Sequence, residues 1–227
     1  MSTAALVESI RTRLRAAGDA ERARGAQAYM KSEMPSRGVR VPEVRRIVSS
    51  VAKEFPPSSP EELRTAVLTL WREAVVREER YAAIDLTGLR MVKGDLGMLP
   101  IYEEIIRTGA WWDLVDGVSH RICALLLAHR DVMTPLLLRW ANDADMWIRR
   151  AAITAQLGAK STTDTELLAQ VVTANLADKE FFIRKAIGWA LREYSKTDPG
   201  WVRGFVEENL AALSQLSKRE ATRLLPA

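Results

Sequence analysis

The chain has 227 residues, 48% of them hydrophobic and 27% charged, with one Cys, two His and a formal net charge of +4. That length suits one large domain or a repeat array, and the composition is too apolar for a disordered chain. The lone Cys123 excludes an internal disulfide framework and a Cys-based zinc site, and fits a reducing cytosol.

No apolar run approaches the roughly 18 residues of a membrane span. The first stretch, MSTAALVESIRTRLRAAG, lacks a signal-peptide core and reads as an ordinary first helix. Of the 33 basic residues 25 are Arg, which grips phosphate bidentately. Residues 1–55 carry 11 Lys and Arg against 6 Asp and Glu, whereas residues 56–227 carry 22 against 23. The basic excess is N-terminal, a weak pointer to a polyanion.

In chain order the apolar spacing of three and four predicts helices throughout. Leu6, Ile10 and Leu14 share a face of the first, which Gly18 ends. Asp19 caps a second helix that carries Tyr29 and Met30. Pro42 opens a third, with Val44, Ile47, Val48 and Val51 facing inward. Ser59 and Glu62 frame a fourth as a capping box, ahead of Leu63, Val67 and Leu70. Thr163 with Glu166, and Ser217 with Glu220, read as two more boxes. Asp95, Asp131, Asp145, Asp178 and Asp198 stand where N-caps belong. About a dozen helices of 8–17 residues are expected, joined by short turns within a single domain over residues 1–227.

Self-similarity points to the architecture. Residues 147–152 (Trp-Ile-Arg-Arg-Ala-Ala) recur 35 positions later as residues 182–187 (Phe-Ile-Arg-Lys-Ala-Ile). Residues 80–84 and 149–153 match at 69, near twice that period. Two helices per 35–40 residues is the period of a HEAT- or TPR-like solenoid. Its small Ala pairs would let helices approach, and its basic residues would line a concave face. Chance likeness of Ala-rich helix starts is the alternative.

No phosphate-binding Gly loop, His-Glu-x-x-His or Gly-x-Ser-x-Gly occurs. His120 and Cys123 are three apart, but two ligands make no metal site, and a helix interior accounts for them better. The seven Trp are 71, 111, 112, 140, 147, 189 and 201. Trp71, Trp140 and Trp201 are assigned to packing, and Trp147 to the repeat. Adjacent Trp111 and Trp112 point in different directions, so the pair is harder to bury whole. Asp113 is a candidate cap there, with Asp116 one turn on. An indole face beside a carboxylate suits a cationic ligand, although taken alone the pair also fits a purely structural role.

Six motifs together resemble a known family. They are residues 29–31 (Tyr-Met-Lys), 38–46 (Gly-Val-Arg-Val-Pro-Glu-Val-Arg-Arg), 111–116 (Trp-Trp-Asp-Leu-Val-Asp), 147–153 and 179–194, with Ser217-Lys-Arg-Glu-Ala221 near the C-terminus. In this order they resemble the bacterial DNA alkylation repair glycosylases of the AlkD type. The resemblance implies an all-α fold, a right-handed α-helical solenoid of HEAT-like repeats with a concave DNA-binding face. It implies hydrolysis of the N-glycosidic bond of cationic alkylpurines, chiefly 3-methyladenine and 7-methylguanine, in duplex DNA without base flipping. It further implies a monomer acting in the bacterial cytoplasm on the nucleoid, with no membrane, metal or small-molecule cofactor.

Carried over by motif, Asp116 is the catalytic carboxylate, and Trp112 and Trp189 are aromatic walls at the lesion's deoxyribose. Arg150 and Arg192 hold the DNA backbone. Lys185 and Arg149, in the same motifs, join them as DNA-binding residues. Arg40 falls with Val41 where the N-terminal segment approaches DNA, and Val41 stands where relatives can carry a polar residue. A non-catalytic DNA-binding repeat protein and a protein-interaction scaffold are the alternatives.

Overall fold

A computed structural model describes residues 3–225. They form two compact units, one ending at Lys93 and the other beginning at Gly94. In the first unit five helices follow one another: α1 (Thr3–Ala16), α2 (Ala20–Met30), α3 (Val41–Glu54), α4 (Pro60–Arg72) and α5 (Arg77–Leu86). In the second unit, a 3-10 turn at Leu96–Met98 leads into α6 (Leu99–Gly109), α7 (Trp112–Gly117), α8 (Ser119–Ala128), α9 (Arg130–Trp140) and α10 (Met146–Thr154). Then come α11 (Thr165–Thr173), α12 (Phe181–Ser195), α13 (Pro199–Glu208) and α14 (Gln215–Ala221). No strand occurs among the described residues. The helices run from 6 to 15 residues, shorter than the spacing alone suggested. No helix among the described residues is long and apolar enough to cross a membrane.

The apolar stripes become the cores. In the first unit α1 buries Leu6, Ile10 and Leu14 against α3, α4 and α5. Each such side chain contributes about 1.5–3 kcal/mol by leaving water. Met30 is buried while its neighbour Tyr29 stands 75% exposed, so only one of that pair serves the core. In the second unit α10 is the hub, packing on α6, α7, α9, α11 and α12. The two copies of the repeated motif begin at matching places: Trp147 and Phe182 are each the second residue of a helix. Ala151, Ala152 and Ala186 are buried, as close helix approach requires.

Contacts between successive helix pairs keep the same interval. Ser119 and Thr154 hydroxyls lie 3.2 Å apart at a separation of 35 residues. The Asn175 amide donates to the Ala141 carbonyl across 34 residues. A His129 ring nitrogen meets the Gly94 carbonyl across 35. Within the second unit, helix pairs therefore lean on one another through equivalent positions, the arrangement of a helical-repeat protein.

Several helix starts differ from expectation. Asp19, Ser59, Asp145 and Asp198 cap as anticipated. Asp164, not Thr163, caps α11, because its carboxylate reaches the Leu167 N–H at 3.0 Å and suits the positive helix end. Ser214, not Ser217, caps α14, which leaves the Ser217 hydroxyl and the Glu220 carboxylate free for tertiary contacts. Trp111 rather than Asp113 occupies the N-cap of α7. Asp131 and Asp178 do not cap: α9 starts after His129, and α12 after Glu180.

In the first unit the turn between α2 and α3 is held by one buried carboxylate. Glu78 accepts from the N–H groups of Arg37, Gly38 and Val39 and from the Ser36 hydroxyl at 2.6 Å. Gly38 takes φ +75°, and a Cβ there would sit 2.3 Å from the Asp19 carbonyl oxygen and 2.5 Å from the Ala23 nitrogen. Both backbone strain and collision oppose any side chain. Gly38→Ala is expected to lower stability by at least about 2 kcal/mol in urea unfolding. A loss under about 0.5 kcal/mol would contradict this account of the turn.

Candidate functional site: a clamped carboxylate among aromatic rings

The site begins where α6 ends. Ala110 adopts the left-handed region at φ +40°, which turns the chain sharply, and Trp111 follows in extended backbone. The two indoles then part. Trp111 packs on Trp147 (centroids 6.1 Å apart) and on Phe182 (5.5 Å), and these two rings approach each other at 5.1 Å. Phe181, 55% exposed, adds an edge contact to Phe182 at 5.4 Å. This cluster joins the starts of α7, α10 and α12, so Trp147 does have the packing role that the repeat suggested. Trp112 opens α7 and is half-buried. Asp116, four residues on, shares its helix face. Buried Leu114 and Val115 anchor the other side of this short helix.

Asp116 is met by Arg150. The Asp145 cap fixes the start of α10 by accepting from the Trp147 N–H at 2.8 Å. Arg150 then donates through Nε and Nη2 to the two Asp116 oxygens, both at 2.8 Å, while Nη1 donates to the Phe182 carbonyl. Its side chain is 5% exposed and that of Asp116 is 16% exposed. One guanidinium therefore ties α7, α10 and α12 together. The Asp116 carboxyl lies above its ordinary pKa: burial raises it first, Arg150 opposes this, and neighbouring Asp113 adds to the rise.

A second cationic group lies on α12. Lys185, Trp189 and Arg192 stand at i, i+4 and i+7, on one helix face. Trp189 is half-buried. Lys185 Nζ meets Glu220 Oε1 at 2.9 Å, and Arg192 Nη1 pairs with Glu220 Oε2. Arg149 is turned elsewhere, onto Asp178 at 2.8 Å and onto the Asp143 and Ala144 carbonyls. Arg40 belongs to the first unit, where it stands exposed at the N-cap of α3 beside exposed Val41.

The structure thus joins Asp116 directly to Arg150, with Trp112 one turn away, and joins Lys185 to Arg192 through Glu220. Two participants escaped the reading of single motifs, Glu220 and the Phe182 carbonyl. The repeat interval did carry a signal for Glu220, which follows Lys185 by 35 residues as Arg150 follows Asp116 by 34. His120 uses its ring for the Leu157 carbonyl at 3.1 Å, and Cys123 is buried. Among the described residues no group of three or more His, Cys, Asp or Glu could hold a metal ion.

Residues 10–225 match the model of a family described as DNA alkylation repair enzyme. The chain is also similar to a solved structure, a predicted DNA alkylation repair enzyme from Enterococcus faecalis. The two share 30% identity with a TM-score of 0.81, over 92% of this chain and 96% of that one. No curated protein matches.

Arg150→Met is expected to push the Asp116 pKa further up, since Arg150 is what lowers it, as read by carboxyl-carbon NMR titration. It is also expected to cost about 3 kcal/mol of stability, because an almost buried carboxylate loses its counter-charge. An unmoved titration would show that Arg150 does not set the charge of Asp116.

Proposed function

Because the chain belongs to the DNA alkylation repair enzyme family, we propose that it is a DNA glycosylase that hydrolyses the N-glycosidic bond of cationic alkylpurines, 3-methyladenine and 7-methylguanine, in duplex DNA. The observation that carries the reading is the Arg150-clamped Asp116 carboxylate one turn from Trp112.

The chemistry asks for little else. A purine alkylated at N3 or N7 is positively charged and leaves without being protonated, so no general acid is needed. As the C1′–N bond breaks, positive charge develops on the deoxyribose. A fixed carboxylate and indole faces stabilise that charge most effectively where water is scarce. Asp116 supplies the charge, Trp112 and Trp189 the aromatic walls. Asp116 also orients the attacking water and takes its proton, a role worth about 10²–10⁴-fold in typical enzymes. The products are the free base and an abasic sugar. Stabilisation from the sugar side needs no flipped base.

Arg150 serves first as the holder of Asp116, and any approach to phosphate must be made from that place. Arg192, Lys185 and Arg40 are the candidate phosphate contacts, with Arg149 a candidate that must first leave Asp178. On this reading the protein works as a monomer in the cytoplasm, with DNA as its one macromolecular partner and no cofactor.

Release of 7-methylguanine from methylated duplex is expected well above the spontaneous rate, and Asp116→Asn is expected to lower it by about 100-fold or more. The reaction needs ionised Asp116, so the rate falls as pH drops through its pKa. Burial has raised that pKa, so the loss sets in at higher pH than for an exposed Asp. No release by the wild-type protein would refute the enzyme, and an equally active Asn variant would refute the role of Asp116.

A further inference from the structure

Away from Asp116, the second unit holds another carboxylate set between cations, on a helix that closely approaches its neighbour. Glu220 lies on α14, which packs against α12. A Cβ at Gly188 would come within 2.5 Å of the Glu220 Cβ and 3.0 Å of the Ser217 carbonyl oxygen. Only glycine at 188 lets α14 seat so closely. The Ser214 cap fixes the start of α14, and the Ser217 hydroxyl donates to the Arg184 carbonyl at 2.9 Å. The Glu220 side chain is 12% exposed, against 39% for Lys185 and 23% for Arg192. Its carboxyl is held below the usual range, chiefly by the Lys185 hydrogen bond, so it is ionised at neutral pH.

Each oxygen of this carboxylate takes one cation, Oε1 from Lys185 and Oε2 from Arg192. Those cations lie one turn before and one turn after Trp189 on the same face of α12. Arg192 engages through Nη1, and its Nε and Nη2 meet no partner among the described residues. The carboxylate therefore restrains two long, rotamer-rich side chains and leaves donors directed elsewhere. Ordering done beforehand is ordering that binding need not impose.

We propose that Glu220 is a positioning residue: it holds Lys185 and Arg192 on either side of Trp189, so that both meet the DNA backbone in register as the glycosidic bond breaks. The inference rests on the glycosylase reading above. Glu220 reduces the net charge of the trio to +1, which weakens general attraction to phosphate while fixing geometry. Placement and attraction are therefore separable by one nearly isosteric change.

Glu220→Gln removes the charge and leaves one acceptor for two cations. Single-turnover release of 7-methylguanine from methylated duplex is expected to fall about tenfold. Affinity for undamaged duplex of the same length is expected to hold or rise, with a salt dependence at least as steep as in the wild type. The melting temperature, read alongside, shows whether the variant is folded. Unchanged release would overturn the proposal. So would a loss of affinity equal to the loss of release, which would make Glu220 a strut and not a positioning residue. If the wild-type protein releases no base, the glycosylase reading itself fails, and the positioning role fails with it.

Discussion

A carboxylate that loses most of its water must acquire either a proton or a fixed cation. Asp116 has acquired the cation, and the second unit is organised around that fact. Arg150 reaches it only because α7 and α10 sit side by side at the repeat interval, and because the third nitrogen of the guanidinium finds the Phe182 carbonyl at the start of α12. Three helices are thereby fixed by one planar group. Burial and Arg150 pull the Asp116 pKa in opposite directions, with burial dominant. The result is a carboxylate that is poorly solvated and held on both oxygens by one guanidinium. Those are the properties that make a fixed negative charge effective against a developing cation.

The repeat explains why such pairs arise at all. Positions about 35 apart face each other in neighbouring helix pairs, so a charged residue in one repeat meets its counterpart in the next. Asp116–Arg150 and Lys185–Glu220 are two outcomes of the same register. One buries an arginine to hold a carboxylate. The other inverts the roles, with a carboxylate holding a lysine and an arginine. The basic residues of the repeated motif are thus largely engaged within the fold: Arg149 on Asp178, Arg150 on Asp116, Arg184 on the Asp178 carbonyl. A basic row in a repeat sequence reads as a row of exposed cations only if nothing in the next repeat answers it.

Much of this was legible beforehand. Apolar spacing marked the helices, since Leu6, Ile10 and Leu14 need one buried stripe. The 35-residue echo marked the repeat, and the different directions of Trp111 and Trp112 marked the pair as harder to bury whole. Helix starts were less legible where two candidate caps lay within a turn, as with Thr163 and Asp164, because geometry decides which oxygen reaches the N–H groups. The tertiary partners were least legible. Glu220 looked like half of a local capping box, and only the packing of α14 against Gly188 gives its carboxylate to α12. Local pattern records what a helix needs of itself; it does not record which neighbour a long side chain will find.

The proposed chemistry requires Asp116 to recognise positive charge at the sugar. The most direct measurement is the affinity for two duplexes that differ at one residue, a pyrrolidine abasic analogue with a protonated ring nitrogen or its neutral tetrahydrofuran counterpart. Wild-type protein is predicted to prefer the cationic analogue at least about tenfold, as a site built for the transition state should, and Asp116→Asn to lose that preference while binding the neutral duplex as before. Equal affinity of the wild-type protein for the two duplexes would contradict it.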